Sequence, residues 1–300
     1  MRFRTRFAPS PTGPLHLGHA YSALLAHDMA AASGGEFLLR IEDIDQSRCR
    51  AEWEALIYED LRWLGVSWPA PVMRQSARKP AYQAVLQTLW TQGVLFACTC
   101  NRRDIEAAAT APQEGTAPRF GPDGIVYPGT CRTLSPVTPA AQLPETALRL
   151  RMADVAAALL RKHGNNRVFS FVETGSGPNG ETGEITFDLE HLITAVGDIV
   201  LARRDMGTSY HLSVVLDDAA QDITHVVRGQ DLFEATKIHV VLQQLLGLPT
   251  PVYHHHRLIR DAGGKRLAKR DDARAIRKYR EDGKSAADIR GMVGLEHRGA

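Results

Sequence analysis

The sequence predicts an α/β protein: a parallel sheet of the nucleotide-binding kind, split by an insertion and followed by short C-terminal helices. Three observations carry that expectation. Short apolar runs alternate with helix-period runs over residues 2–97. The pattern then breaks into a Pro-, Gly- and Thr-rich stretch over residues 98–144. Regular alternation returns after Val196. Strands that alternate with helices pair in parallel, because each crossover helix covers a face of the sheet.

Residues 2–8 alternate charged and apolar side chains, the period of a half-buried strand. Pro9, Pro11, Gly13 and Pro14 end it in a turn. An Ala- and Leu-rich helix is expected over 20–32, closed by Gly34-Gly35. Residues 37–43 form the next apolar strand. Residues 47–64 carry Trp53, Leu56, Ile57, Leu61 and Leu64 at helical spacing, and Cys49 is expected in that helix and in the core. A further helix spans 80–90. Within the irregular stretch, Asn101 caps a short helix over 101–109, with Asp104 three residues on. Residues 148–190 mix strand-like runs with a Gly-rich loop at 174–182. Strands follow at 198–204, 210–217 and 223–229, then a helix over 232–246. These elements divide the chain into a first half-fold (1–97), an insertion (98–195), a second half-fold (196–262) and a basic loop with terminal helices (263–300).

The chain has 300 residues, 44% hydrophobic and 23% charged, as in an ordinary globular protein with room for two domains. No signal peptide is visible and no segment is apolar enough to span a membrane, so a cytoplasmic protein without a membrane partner is expected. Four cysteines in a chain of this length do not make a disulfide framework. A net charge of +2 offers no global attraction to nucleic acid. Any RNA contact must be local. Arg266, Lys269, Arg270, Arg274, Arg277, Lys278 and Arg280 form the densest basic stretch, which charge alone reads equally as a solvated helix face.

His16 and His19 fall where the first strand hands over to a helix N-terminus. Backbone N–H groups and the helix dipole favour a phosphate there, Gly18 admits close approach, and imidazoles can donate to the ligand. Arg6, Glu42 and Arg228 all lie at predicted strand ends, where open α/β sheets bind ligands; edge-strand ion pairs would fit the residues equally well. Cys98-x-Cys100 and Tyr127-x-x-x-Cys131 supply three thiols and an oxygen. Such a set suits tetrahedral zinc, and three buried thiols would also account for it.

The block Arg6-Phe7-Ala8-Pro9-Ser10-Pro11-Thr12-Gly13, continued by His16-Leu17-Gly18-His19, resembles the HIGH motif of class I aminoacyl-tRNA synthetases in the form of the glutamate and glutamine enzymes. The resemblance covers residues 2–275. It implies a class I synthetase fold of Rossmann type and an ATP-dependent ligase. His16, Gly18 and His19 would bind ATP, with both histidines catalytic. Lys265-Arg266-Leu267-Ala268-Lys269-Arg270 is similar to the family's KMSKS loop, with Lys269 in the catalytic lysine position. Arg266 and Ala268 depart from the pattern. It implies glutamate bound by Arg6, Ala8, Ser10, Glu42, Tyr210 and Arg228, with Glu42 on the ammonium and the two arginines sharing the carboxylates. It raises zinc on Cys98, Cys100, Tyr127 and Cys131 as a structural ion, with Arg102 and Arg103 beside the thiolates, and implies Mg²⁺ with ATP. The His254-His255-His256 tract alternates faces on a strand and cannot ligate one ion.

Only about thirty residues follow Lys269, too few for the anticodon-binding domain of a full glutamyl enzyme. The chain therefore resembles the family's truncated members, which activate glutamate and transfer it to the queuosine base in the anticodon arm of tRNA(Asp). A monomer is expected. The alternatives are a truncated enzyme charging a tRNA 3′ end and an inactive nucleotide- or RNA-binding module.

Overall fold

The computed structural model describes residues 2–110, 118–133, 142–164, 167–260 and 274–295. In chain order the first part is β1 (Arg4–Phe7), α1 (Leu17–Ala32), β2 (Glu36–Ile41), α2 (Ala51–Trp63), β3 (Met73–Arg74), α3 (Lys79–Thr91) and β4 (Leu95–Cys98). Next come α4 (Arg102–Thr110), β5 (Phe120–Gly121), β6 (Gly124–Ile125), β7 (Ala147–Leu150), α5 (Met152–Lys162), β8 (Val168–Glu173), β9 (Gly183–Asp188) and the single turn α6 (Leu189–His191). The chain continues through β10 (Val200–Ala202), α7 (Tyr210–Ala220), β11 (His225–Gly229), α8 (Ala235–Leu246), β12 (Val252–His256), α9 (Ile276–Glu281) and α10 (Ala286–Met292).

β1, β2 and β3 pair in parallel, and so do β11, β12 and β8. The two sets meet where the Thr224 N–H donates to the Arg4 carbonyl at 2.9 Å and the Arg4 N–H donates to Thr224 Oγ1 at 2.8 Å. The central sheet therefore runs β3-β2-β1-β11-β12-β8, with β9 antiparallel at its edge. Phe7, Phe37, Leu39, Ile41, Val226 and Val227 are buried on β1, β2 and β11, as a helix-covered parallel sheet requires, whereas Val168 and Val172 on β8, near the sheet edge, are exposed.

The structure departs from several of these expectations. Residues 210–217 are the N-terminal part of helix α7, not a strand. Ser209 caps the helix by accepting the Leu212 N–H. His211, Leu212, Ser213, Val214, Val215, Asp217 and Asp218 are all buried, so burial around most of the helix erases its 3.6 period. Adjacent valines then mimic a strand. Within the expected insertion, 98–195, strands pair with partners on either side of it. β8 returns to the catalytic sheet at Tyr253↔Glu173, whereas β4 and β10, outside those bounds, flank β7 in a separate antiparallel sheet. Strand partners distant in sequence leave no local signal. Cys49 sits half-buried in a turn before α2, since the helix begins only at Ala51.

A charged cluster lies between β1, β2 and α7. Asp218 accepts from Arg6 Nε at 2.9 Å and from Arg40 Nη1 at 2.7 Å; Arg40 Nη2 reaches Glu42 Oε1 at 3.3 Å. Burial alone would raise the Asp218 carboxyl, but the two guanidinium groups hold it below its ordinary value. Elsewhere, Asp60 on α2 is buried with neither carboxylate oxygen hydrogen-bonded, facing Arg277 and Arg280 of α9. Burial raises it to about 6.

Because the folded state prefers protonated Asp60, stability falls as pH rises from the ordinary carboxyl value of 3.8 towards about 6, and the penalty is complete above that. Asp60→Asn should therefore raise unfolding stability at pH 7.5 by about 1–2 kcal/mol, and the gain should shrink as pH falls through 6. Urea unfolding at pH 7.5 and pH 5 checks this; an equal gain at both would contradict it.

Candidate active site

The loop after β1 delivers its histidines through the start of α1. His16 is the N-cap: its Nδ1 accepts the Gly18 N–H at 3.1 Å, and His19 Nδ1 accepts the His16 N–H at 3.2 Å, a reciprocal capping box. In each neutral ring this leaves Nε2 as the protonated nitrogen, a donor suited to phosphate oxygen. The ring centroids lie 3.8 Å apart. A Cβ at residue 18 would meet His16 Cε1 at 3.0 Å, so Gly18 serves the histidine as well as any ligand.

Arg6, Glu42 and Arg228 lie at or just beyond the carboxyl ends of β1, β2 and β11, where an α/β sheet presents its ligand site. They line one cleft of about 370 Å³ together with Ala8, His16, Gly18, His19 and Tyr210. Glu42 and Tyr210 also face an adjoining cleft of about 1050 Å³, which holds Ser10 and reaches the insertion. Every sequence-expected glutamate residue thus lines one of two neighbouring clefts. Burial raises the Glu42 carboxyl, opposed by Arg40 and Arg6, and burial likewise keeps the Tyr210 hydroxyl protonated. Lys269, Arg266 and Ala268 lie outside the described residues.

The two arginines differ in charge state of their surroundings. The Nε/Nη2 edge of Arg6 is committed to the Asp218 carboxylate. Arg228 instead donates to His255 Nε2 at 3.1 Å, His239 Nδ1 at 3.1 Å, Thr236 Oγ1 at 2.7 Å and the Leu232 carbonyl at 3.3 Å. No carboxylate contacts it among the described residues. Burial beside Arg228 holds His239 far below its ordinary value, so this acceptor is neutral. Arg228 is oriented without being neutralised, the condition for pairing with an anionic ligand.

Arg40, Asp218, Thr236, His239 and Glu173 escaped the sequence reading. Asp218 and His211 share a face of α7 seven residues apart, a signal hidden once that segment read as a strand. His254, His255 and His256 do alternate along β12: His255 contacts Glu173 and Arg228, while His256 packs edge-on to Tyr21.

Cys98, Cys100 and Cys131 bring their sulfurs within 4.8 Å of one another. The Tyr127 oxygen lies 3.5 Å from Cys98 Sγ and 3.6 Å from Cys100 Sγ. Tetrahedral zinc with bonds of about 2.3 Å separates sulfurs by about 3.8 Å, so this donor set fits the ion. Burial opposes ionising Cys131, but hydrogen bonds from Tyr127 and from the Thr99 and Cys100 region bring it down to about 6; burial pushes Cys100 up to about 11. The cation beside the thiols is Arg149 of β7, whose Nε lies 3.4 Å from Cys98 Sγ and whose guanidinium stacks 4.0 Å from the Tyr127 ring centroid. Arg102, expected there, points to solvent and pairs with Glu106. Asn101 and Asp104 do form the expected reciprocal cap of α4.

In the basic stretch, Lys278 pairs with Glu281 at 2.7 Å, Arg280 with Glu59 at 2.7 Å, and Arg274 with Asp282. These pairs lower the net field that α9 offers to a polyanion.

A family model for class I tRNA synthetases (E and Q), catalytic domain, matches residues 2–125 and 179–297. A glutamyl-Q tRNA(Asp) synthetase from Rhodobacter capsulatus is 64% identical over 97% of this chain and 99% of its own length. One from Nocardia farcinica is 41% identical over 96% of this chain and 82% of that protein. A crystal structure of a glutamate tRNA ligase from Elizabethkingia meningosepticum, in complex with its amino acid, superposes with a TM-score of 0.69 at 25% identity. The match covers 98% of this chain, which spans 61% of that longer one.

Two outcomes are expected. Glu42→Gln and Arg228→Ala should each raise the glutamate KM at least tenfold, since breaking a buried charge contact costs on the order of 3–5 kcal/mol, while the KM for ATP stays within about twofold. Glutamate-dependent pyrophosphate exchange measures both, and a parental glutamate KM in either variant would remove that residue from the pocket. Elemental analysis of freshly purified protein should find one zinc per chain, lost in Cys131→Ala; metal-free parent protein would contradict the ligand set.

Proposed function

Given that the chain belongs to the class I (E and Q) tRNA synthetase family, we propose that it is an ATP-dependent ligase that activates glutamate and transfers it to the queuosine base of tRNA(Asp). Arg228, buried and held by neutral acceptors in a cleft shared with Glu42 and the α1 histidines, is the observation that carries glutamate activation. The near full-length kinship with a glutamyl-Q tRNA(Asp) synthetase supports the acceptor.

The chemistry follows from charge. A glutamate carboxylate oxygen attacks the α-phosphorus of ATP, and the bond to pyrophosphate breaks, leaving glutamyl-adenylate. A hydroxyl of the queuosine cyclopentene diol then attacks the glutamyl carbonyl, and AMP departs. Glu42 meets the substrate ammonium, whose positive charge supplies the counter-charge that a buried carboxylate needs. Arg228 and the free edge of Arg6 take the carboxylates, with Tyr210 donating its hydroxyl and Ala8 and Ser10 shaping the entrance. His16 and His19 donate through Nε2 to phosphate oxygens as charge develops there. Lys269, on its basic loop, is assigned to the leaving pyrophosphate. Mg²⁺ accompanies ATP and shields its phosphates. Zinc on Cys98, Cys100, Tyr127 and Cys131 is structural, since four protein ligands leave no open position.

The protein should exchange pyrophosphate with ATP in the presence of glutamate and without tRNA. Labelled glutamate should appear on tRNA(Asp) carrying queuosine and not on the same transcript with guanosine at that position. Equal labelling of both, or labelling of tRNA(Glu) that depends on its 3′ end, would instead identify a truncated charging enzyme.

A further inference from the structure

Arg228 stands at the head of two imidazole chains of unequal anchorage. One runs through His255 to Glu173 and stays within the central sheet, between β12 and β8. The other leaves the sheet. Arg228 Nη1 lies 3.1 Å from His239 Nδ1; the His239 Nε2 lies 3.0 Å from His211 Nδ1; the His211 Nε2 lies 2.8 Å from Asp123 Oδ1. Asp123 sits in the tight turn between β5 and β6, with its side chain 45% exposed at the edge of the larger cleft.

The direction of every bond in this chain is fixed by its two ends. A guanidinium can only donate, so His239 Nδ1 accepts and its Nε2 carries the proton. That proton goes to His211 Nδ1, which leaves the His211 proton on Nε2, directed at a carboxylate that can only accept. No other arrangement of neutral rings satisfies all three contacts. Both histidines are buried, whereas Asp123 is not. The far end of the chain is therefore set by a hairpin of the insertion rather than by the sheet that carries Arg228.

We propose that His239, His211 and Asp123 are positioning residues for glutamate: a relay that locks Arg228 in its substrate-facing pose and makes that pose depend on the β5–β6 hairpin. The proposal rests on the assignment of Arg228 to a glutamate carboxylate. With Nε, one Nη1 proton and both Nη2 protons engaged, one Nη1 N–H remains to be aimed, and His239 fixes its plane. Loss of Asp123 frees the His211 ring to take its other tautomer, which turns an N–H towards His239 and weakens the acceptor that Arg228 relies on. The effect must then be on glutamate binding, more than 10 Å of covalent and hydrogen-bonded path away from the altered carboxylate, a rough sum over two rings and three contacts.

The test is glutamate-dependent pyrophosphate exchange by the full chain without tRNA, with thermal melting of each variant. Asp123→Ala should raise the glutamate KM about 3–10-fold, and His239→Leu at least tenfold, as expected for losing a hydrogen bond to a charged group. In both, kcat and the KM for ATP should stay within about twofold. His239→Gln should recover to within about threefold of the parent, because its amide oxygen can accept from Arg228 while its NH₂ donates to His211. If His239→Leu does not fold, the exposed Asp123→Ala decides alone. Unchanged glutamate KM in Asp123→Ala, or a parallel loss in kcat and in the KM for both substrates, overturns the relay. Arg228→Ala separates the two levels. If it leaves the glutamate KM unchanged, the assignment of Arg228 itself fails; if it raises that KM while Asp123→Ala does not, only the relay fails.

Discussion

Asp218 is the carboxylate on which the site's geometry depends. It reaches the sheet from α7, in the second half of the chain, and binds two arginines of the first, Arg6 on β1 and Arg40 on β2. Two guanidinium groups at adjacent strand ends would repel each other in a low-dielectric interior; one shared counter-ion converts that repulsion into a clamp. Arg40, wholly buried, then holds Glu42 from beneath. The cluster therefore does two things at once. It closes the two half-folds on each other, and it fixes the positions of an anion and a cation at the mouth of the cleft. Arg228 stands apart from this arrangement. Its partners are imidazoles, a hydroxyl and a carbonyl, so its orientation is set while its charge is left for a ligand.

Much of this was legible before any coordinates. The strand, turn and helix around residues 4–32, the strand ending next to Glu42, and the strand carrying Arg228 all announce themselves through period and punctuation. Local chemistry writes such elements: prolines stop a strand, paired glycines stop a helix, and Asn101 with Asp104 marks a cap. What stayed hidden is of another kind. Helix α7 is buried around most of its circumference, so its residues carry no amphipathic stripe, and its valines argued for a strand. β8 joins β12 across some eighty residues, a pairing that no window of sequence contains. Asp218 was invisible because α7 read as a strand and its partners Arg6 and Arg40 lie 212 and 178 residues away. The Lys269 loop was readable as a motif, and its placement falls outside the described residues.

The thiol cluster is a small node set apart from the large core, to which much of the insertion contributes through Leu148, Leu150, Val155, Leu159 and Leu192. Its donors come from the end of β4, the segment after it, and the loop beyond β6, and Arg149 of β7 lies against Tyr127 and Cys98. Phe96, Cys98, Tyr127 and Cys131 form a small separate apolar cluster. Asp123, in the β5–β6 hairpin shortly before Tyr127, reaches His211.

The start of α1 makes fold and chemistry inseparable in an unusual way. His16 and His19 close the helix N-terminus with the same rings that face the cleft, and the cap is what dictates their tautomers. Serine or aspartate, the ordinary caps, would start the helix but would present no ring N–H to the cleft. A residue that offers an N–H but no acceptor would leave the first turn unsatisfied. Only side chains with an acceptor and a donor set at the two ends of a rigid ring meet both demands at this spacing. In the site proposed above, one pair of atoms begins the helix and another pair, on the same rings, is turned to the cleft to meet a phosphate.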